Sequence, residues 1–265
     1  MSEVQTERWL RLLDHFCTQL DSPHLDLLID QAGCQERLLE GLRQFEPAIS
    51  FQLLFEDMPE SGIAHLGPLL VRIELAQPLH RFWLEELVDT FAMDSRLLAL
   101  VSKWPFERLA GYLQQCLEAA NGGAVGVLRF YDPRLFPLLF SHVLDPQQQQ
   151  QLLHPALCWS WLDRDGQPGY LRGAAASAAG PDLFQPFELD DPQLHRLGCA
   201  SDASRALTHI AGQLPAQWSP EQRFQACYRA MLEADEAGLM AGTKRIAFVL
   251  ERIRGEVEGG KKHAH

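Results

Sequence analysis

Charged side chains gather where apolar runs end in this 265-residue chain: Asp30, Glu56 with Asp57, Lys103, and the string Arg129-Phe-Tyr-Asp-Pro-Arg134. Carboxylates and a lysine so placed could move protons or hold a small ligand. In an open α/β sheet, the crevice outside the carboxyl ends of the strands is where ligands bind. A crevice near Asp30, Lys103 and Asp132 would suit an α/β enzyme or a small-ligand-binding domain. The structural reading is the stronger one. Asp132 is a good helix N-cap, and Pro133 fits the first helical position, where a missing N–H costs nothing. Arg129 falls inside a predicted strand and needs a neighbouring acid such as Asp30, because an unpaired buried charge costs on the order of several kcal/mol. If that pair is buried, Arg129→Ala is expected to cost roughly 2–4 kcal/mol. No two carboxylates can be assigned acid and base roles from their spacing.

Other chemistry is missing from the pattern. A dinucleotide site needs Gly-x-Gly-x-x-Gly after the first strand; after Asp30 the chain reads Gln-Ala-Gly-Cys, and Gly122-Gly123-x-x-Gly126 precedes a strand. There is no Walker A sequence, no His-Glu-x-x-His and no Gly-x-Ser-x-Gly elbow. The six cysteines (Cys17, Cys34, Cys116, Cys158, Cys199, Cys227) are scattered and lack metal-site spacing. They read as buried free thiols of a reducing compartment. None of the ten histidines pairs with a second ligand at metal spacing within one element, so no catalytic, cofactor-binding or metal residue is assigned and no cofactor is expected.

The formal net charge is −12, most of it before residue 176. Nucleic-acid affinity rests on cationic contacts to phosphate, so no nucleic-acid partner is expected. The acidic excess reads as solubility rather than as a dock for a basic partner. The N-terminus lacks the basic-then-apolar order of a signal peptide, and no run of 18 apolar residues exists to insert in a membrane. A cytoplasmic location is expected.

The elements that must position these residues alternate. A helix over 3–20 comes first, with Trp9, Leu12, Leu13, Phe16 and Leu20 at helical spacing. Apolar runs at 25–30, 50–55, 69–75, 97–101 and 123–131 then alternate with helical patterns at 35–45, 79–91 and 106–120. Such alternation predicts an α/β domain over residues 1–175 with a largely parallel sheet flanked by helices. Asp163-Arg-Asp-Gly166 reads as the turn of an edge hairpin. The low-complexity stretch Gly173–Pro181 marks the boundary. A smaller all-helical lobe follows over 176–258, with helices over 201–213, around Phe224–Leu232 and around Ile246–Ile253. Residues 259–265 read as a disordered tail.

Several segments resemble the adaptor (chaperone) family of bacterial type VI secretion systems, whose shared domain was long catalogued as one of unknown function. They are Leu25-Asp-Leu-Leu-Ile-Asp-Gln-Ala32, Leu54-Phe-Glu56, His65-Leu-Gly-Pro-Leu-Leu-Val71 and, most specifically, Val127-Leu-Arg-Phe-Tyr-Asp-Pro-Arg-Leu135. The resemblance covers about residues 24–165. Position 69 is Leu where the family often has Trp. Phe106–Leu113 replaces a more basic helix. The resemblance implies a non-enzymatic, cytoplasmic protein that holds a toxic effector and helps load it onto the VgrG spike. Its family motif here is Asp30 with Arg129, Phe130, Tyr131, Asp132, Pro133 and Arg134, in a structural role. No residue is assigned to partner binding. Recognition across both lobes is expected, with effector choice in the helical lobe.

Overall fold

The computed structural model describes residues 3–34, 37–91, 94–178, 184–240 and 242–262. The chain forms two compact units, Met1–Leu189 and Asp190–His265. The first reaches past the low-complexity stretch because a short strand, Phe187–Glu188, pairs with an earlier one.

A six-stranded sheet organises the first unit. Its strands are β1 (His24–Asp30), β2 (Ser50–Leu53), β3 (Pro68–Glu74), β4 (Leu97–Val101), and further along the chain β7 (Cys158–Leu162) and β8 (Pro168–Arg172). The spatial order is β2-β3-β1-β4-β7-β8, and every neighbouring pair is antiparallel. The expected largely parallel sheet is therefore wrong. The helix-linked strands do run the same way: β1 with β2 through α2 (Arg37–Arg43), and β3 with β4 through α3 (Pro78–Phe91). Each of these crossovers skips one strand, so β3 sits between β1 and β2, and β1 between β3 and β4. Interleaving makes all hydrogen-bonded neighbours antiparallel, in the manner of split β-α-β units.

Both sheet faces are covered, which is why β1, β3 and β4 read as continuous apolar runs. On one face Leu25, Leu27, Ile29, Val71, Ile73 and Ala99 pack with Trp9 and Leu13 of α1 (Glu3–Gln19) and with Leu84 and Val88 of α3. Trp9 donates its indole N–H to Ser160 Oγ at 2.9 Å, tying α1 to β7. The other face carries Leu28, Leu70, Leu98, Leu100, Trp159 and Trp161, all buried. It is met by α4 (Phe106–Gln115) and by the segment after residue 127.

Two expected elements break earlier than their patterns suggest. The helix over 106–120 stops at Gln115, and Glu118–Asn121 forms β5, which hairpins with β6 (Ala124–Val127). Gly122 and Gly123 take positive φ in that turn, a conformation glycine adopts without steric cost. With β9 (Phe187–Glu188) these strands make a second, three-stranded sheet. Beyond β6 the chain forms a single helical turn, α5 (Phe136–Leu138), which runs into a π turn; α6 (Pro146–Leu153) follows. A capping box between Asp145 and Gln148 starts α6. The β7–β8 hairpin lies at the sheet edge.

The second unit holds α7 (Asp191–Ile210), α8 (Pro220–Glu236) and α9 (Gly242–Lys262). Capping boxes at Asp190/Gln193 and Ser219/Gln222 start the first two, so α7 begins well before the expected residue 201. Gly238, with φ +71°, ends α8. Its N–H reaches Asp235 C=O and that of Leu239 reaches Ala234 C=O, the bonding of a Schellman motif. Helix α9 continues through Gly259-Gly-Lys-Lys262, part of the stretch expected as a disordered tail. His263, Ala264 and His265 lie outside the described residues.

Candidate functional site

The site is built at the end of the sheet where β1 leaves and β3 and β4 begin. Asp30 stands opposite Pro68 in the β1–β3 register, and its N–H donates to Arg96 C=O at 2.9 Å. Its side chain is 6% exposed and 2.9 Å from Arg129 Nη2, and it also accepts the Ala32 N–H at 3.1 Å. Arg129 is 44% exposed, lies 5.6 Å from the Tyr131 ring centroid and 3.8 Å from Asp132.

Arg129 is not inside a strand, because β6 stops at Val127. Nor does Asp132 cap the helix, whose first residue is Phe136. Instead Asp132 closes a turn on its own residues. Its carbonyl accepts the N–H groups of Leu135 and Phe136 at 2.9 Å, and its Oδ1 accepts the Arg134 N–H at 2.9 Å. The Arg134 guanidinium then grips the same carboxylate with two bonds, at 2.9 and 2.8 Å. A side-chain bond to the backbone two residues on is the usual aspartate device in turns. Pro133 is buried within it.

Aromatic anchors hold this turn on the sheet. Phe130 is fully buried, 6.4 Å from Trp159 between ring centroids, and Phe136 lies 5.1 Å from Trp159 and 5.5 Å from Trp161. Tyr131 is buried as well; burial pushes its phenol up, and the Arg129 guanidinium pulls the other way. The bond to Asp132 raises Arg134 further into its charged range.

Two more segments join the same end. Gln31 donates its side-chain amide to Gly67 C=O at 2.9 Å. The Phe55 ring lies so close over Gly67 that a Cβ there would sit 2.3 Å from Phe55 Cδ2. Only glycine leaves that room. Leu25–Ala32, Leu54–Glu56, His65–Val71 and Val127–Leu135 therefore meet in one assembly.

Lys103 does not take part. It follows β4, which runs opposite to β1, so it lies beyond the other end of the sheet and is exposed. The crevice expected near Asp30, Lys103 and Asp132 belongs to a parallel sheet, and this antiparallel one does not form it. Glu56 and Asp57 are exposed beyond β2, and Glu56 accepts the Gln52 side-chain amide at 3.0 Å.

Sequence reasoning missed one residue here and one pair nearby. Arg96 bonds the carbonyl oxygens of Asp30 and Ala32 and reaches Cys34 Sγ at 3.6 Å. Burial raises the Cys34 thiol, against the pull of Arg96, so it is no ready thiolate. Four residues before Asp30, on the same strand face, Asp26 binds Arg72 of β3 through two bonds of 2.7 and 2.8 Å. Burial raises the Asp26 carboxyl, and the Arg72 contact opposes it. Each is a lone charge in an apolar run, of opposite sign; that was the available signal.

Each buried carboxylate at the sheet end is already bound by a guanidinium, so neither is poised as a general base. The outward sides of Arg129 and Arg134 are available as a rigid donor surface. Arginine held this way suits carboxylates and carbonyl groups of a partner. Among the described residues, no group of three His, Cys, Asp or Glu side chains is placed to hold a metal, and no helix is long and apolar enough to cross a membrane.

A family model described as a domain of unknown function, DUF4123, matches residues 27–151. The span runs from within β1 to within α6 and contains the segments that meet at this sheet end except for Leu25 and Asp26. No curated protein and no solved structure shows significant similarity to the chain.

Proposed function

We propose that this chain is an effector adaptor of a bacterial type VI secretion system: a cytoplasmic protein that binds a toxic effector and promotes its loading onto the VgrG spike, by binding rather than by turnover. DUF4123 is generally linked to such adaptors. The observation that carries the reading is the coincidence of the matched span with the assembly at the sheet end. There buried carboxylates and aromatic anchors fix two half-exposed arginines, an arrangement that presents donors to a partner and leaves no carboxylate free for acid–base work. The helical second unit lies outside the matched span, and we assign effector choice to it.

The test is a pull-down with the full chain as bait from a strain that makes both effector and spike. Recovery of an effector or a VgrG protein supports the reading, and Arg129→Gln with Arg134→Gln should reduce that recovery. Recovery of neither partner would overturn it.

A further inference from the structure

Among the described residues, no strand pairs with the outer edge of β2. It is the terminal strand of the six-stranded sheet, and it borders a groove of about 540 Å³ lined by Ile49, Ser50, Phe51 and Gln52 on one side. The other wall is α4, through Phe106, Glu107, Ala110, Gly111 and Gln114. Leu54 N–H bonds Pro68 C=O at 3.0 Å. In an antiparallel pair the bonded residues alternate, so Ser50 and Gln52 turn their backbone groups to β3, and Phe51 and Leu53 turn theirs outward. The Leu53 carbonyl is already used by Glu56 N–H at 3.2 Å. The Phe51 N–H and C=O and the Leu53 N–H point away from β3, and Phe51 lines the groove.

Natural sheets guard such edges with proline, lysine or inward charge. The opposite edge has these devices: β8 starts with Pro168 and ends with Arg172. The β2 sequence, Ser-Phe-Gln-Leu, has neither.

We infer that β2 and α4 form a docking groove for an extended, lysine- or arginine-bearing segment of a partner protein, added as an extra strand beside β2. Backbone bonds to a sheet edge supply affinity in this mode, and pockets for alternate side chains supply specificity. Charge selects the occupant. The lining carries two exposed carboxylates, Asp57 and Glu107, and no basic side chain among the described residues. A second copy would set these acids against their own kind across a symmetric interface, and the whole chain repels itself at net charge −12. The acidic excess, read from the sequence as solubility alone, acquires a local use.

The probe is a fluorescently labelled peptide of alternating Lys and Val, titrated into the full chain and followed by anisotropy. Phe51→Pro removes an outward N–H without touching the β2–β3 ladder. Gly111→Trp fills the groove from α4, where a Cβ meets nothing within 4 Å. Glu107→Lys reverses its charge. Saturable binding weakened about tenfold or more by each variant supports the inference. If Phe51→Pro does not fold, Gly111→Trp carries the same test. Absence of saturable binding overturns it. So does binding that survives Gly111→Trp, which would place the peptide elsewhere on the acidic surface. Self-association abolished by Gly111→Trp also overturns it, making a second copy the occupant. The probe needs neither effector nor spike, so its outcome is separate from that of the secretion assignment.

Discussion

Arg72→Met should destabilise the first unit far more than any change at Arg129. Arg72 is 8% exposed and Asp26 not at all; their two bonds are short. Taking one partner from such a pair leaves a buried charge without compensation, at a cost of about 3–5 kcal/mol. That is a large share of the roughly 5–15 kcal/mol that holds a typical domain. The deficit should depend on pH, with a definite sign. Burial already raises the Asp26 carboxyl, and without Arg72 it rises further. The folded variant then keeps a proton that the unfolded chain releases near pH 4. The loss is smallest in acid and grows as pH rises toward the folded-state value, by up to about 1.4 kcal/mol per pH unit. The assay is urea unfolding followed by tryptophan fluorescence. Trp9, Trp83, Trp104, Trp159 and Trp161 lie in the first unit and only Trp218 in the second, so the signal reports this core. With a urea slope of about 2 kcal/mol per molar, the midpoint should fall by roughly 1.5–2.5 M at pH 8 and by less at pH 5. Replacing both residues, Asp26→Leu with Arg72→Met, should recover most of the loss, because two well-packed apolar groups can replace a buried pair at little cost. A single variant within about 1 kcal/mol of the parent at pH 8, or a loss that ignores pH, would refute the reasoning.

Arg129→Gln should cost only about 1 kcal/mol, since Arg129 is half exposed and Asp30 keeps the Ala32 N–H; a loss above about 3 kcal/mol in the same unfolding assay would show the pair to be buried after all. Gly67→Ala should cost about 1–3 kcal/mol by driving a methyl into the Phe55 ring, and Phe55→Ala in the same chain should make that alanine nearly neutral. Stability should fall as pH rises above about 9, because burial raises Cys17 to about 12 and Cys158 and Cys227 to about 11, so the unfolded thiols ionise first. A melting temperature unchanged between pH 8 and 10.5 would contradict this. In native protein a disulfide reagent should modify Cys34 first, as the other five cysteines are buried, and equal rates for all six would contradict the burial.

Strand β1 shows how far the chain could be read. Its apolar run, the acid at its end and the helix-linked partners were visible, because burial on both faces and turn chemistry act locally. Helix termini were read less well: the capping boxes at Asp145, Asp190 and Ser219 went unread, and the helix pattern after Phe106 hid the break at Cys116. There Gly122-Gly123 marks the turn of a local hairpin, but the apolar spacing through Leu117 continues the helical pattern and masks β5. The string at Arg129–Arg134 was recognised for its residues and for Arg129's need of an acid. Its backbone was misread: Asp132 spends its carboxylate on Arg134 and its own turn instead of a helix start.

The sequence by itself determined most of the element types, the core periodicity, and the segments that carry the family likeness, because propensity and hydrophobic alternation depend on neighbours along the chain. Only the tertiary structure decided which strands lie side by side. Apolar runs buried on both faces look alike whether their neighbours are parallel or antiparallel, and a crossover that skips one strand leaves no trace in composition. That one choice placed Lys103 at the far end from Asp30, set Arg72 opposite Asp26, brought Phe55 onto Gly67, and left β2 as the terminal strand of the sheet.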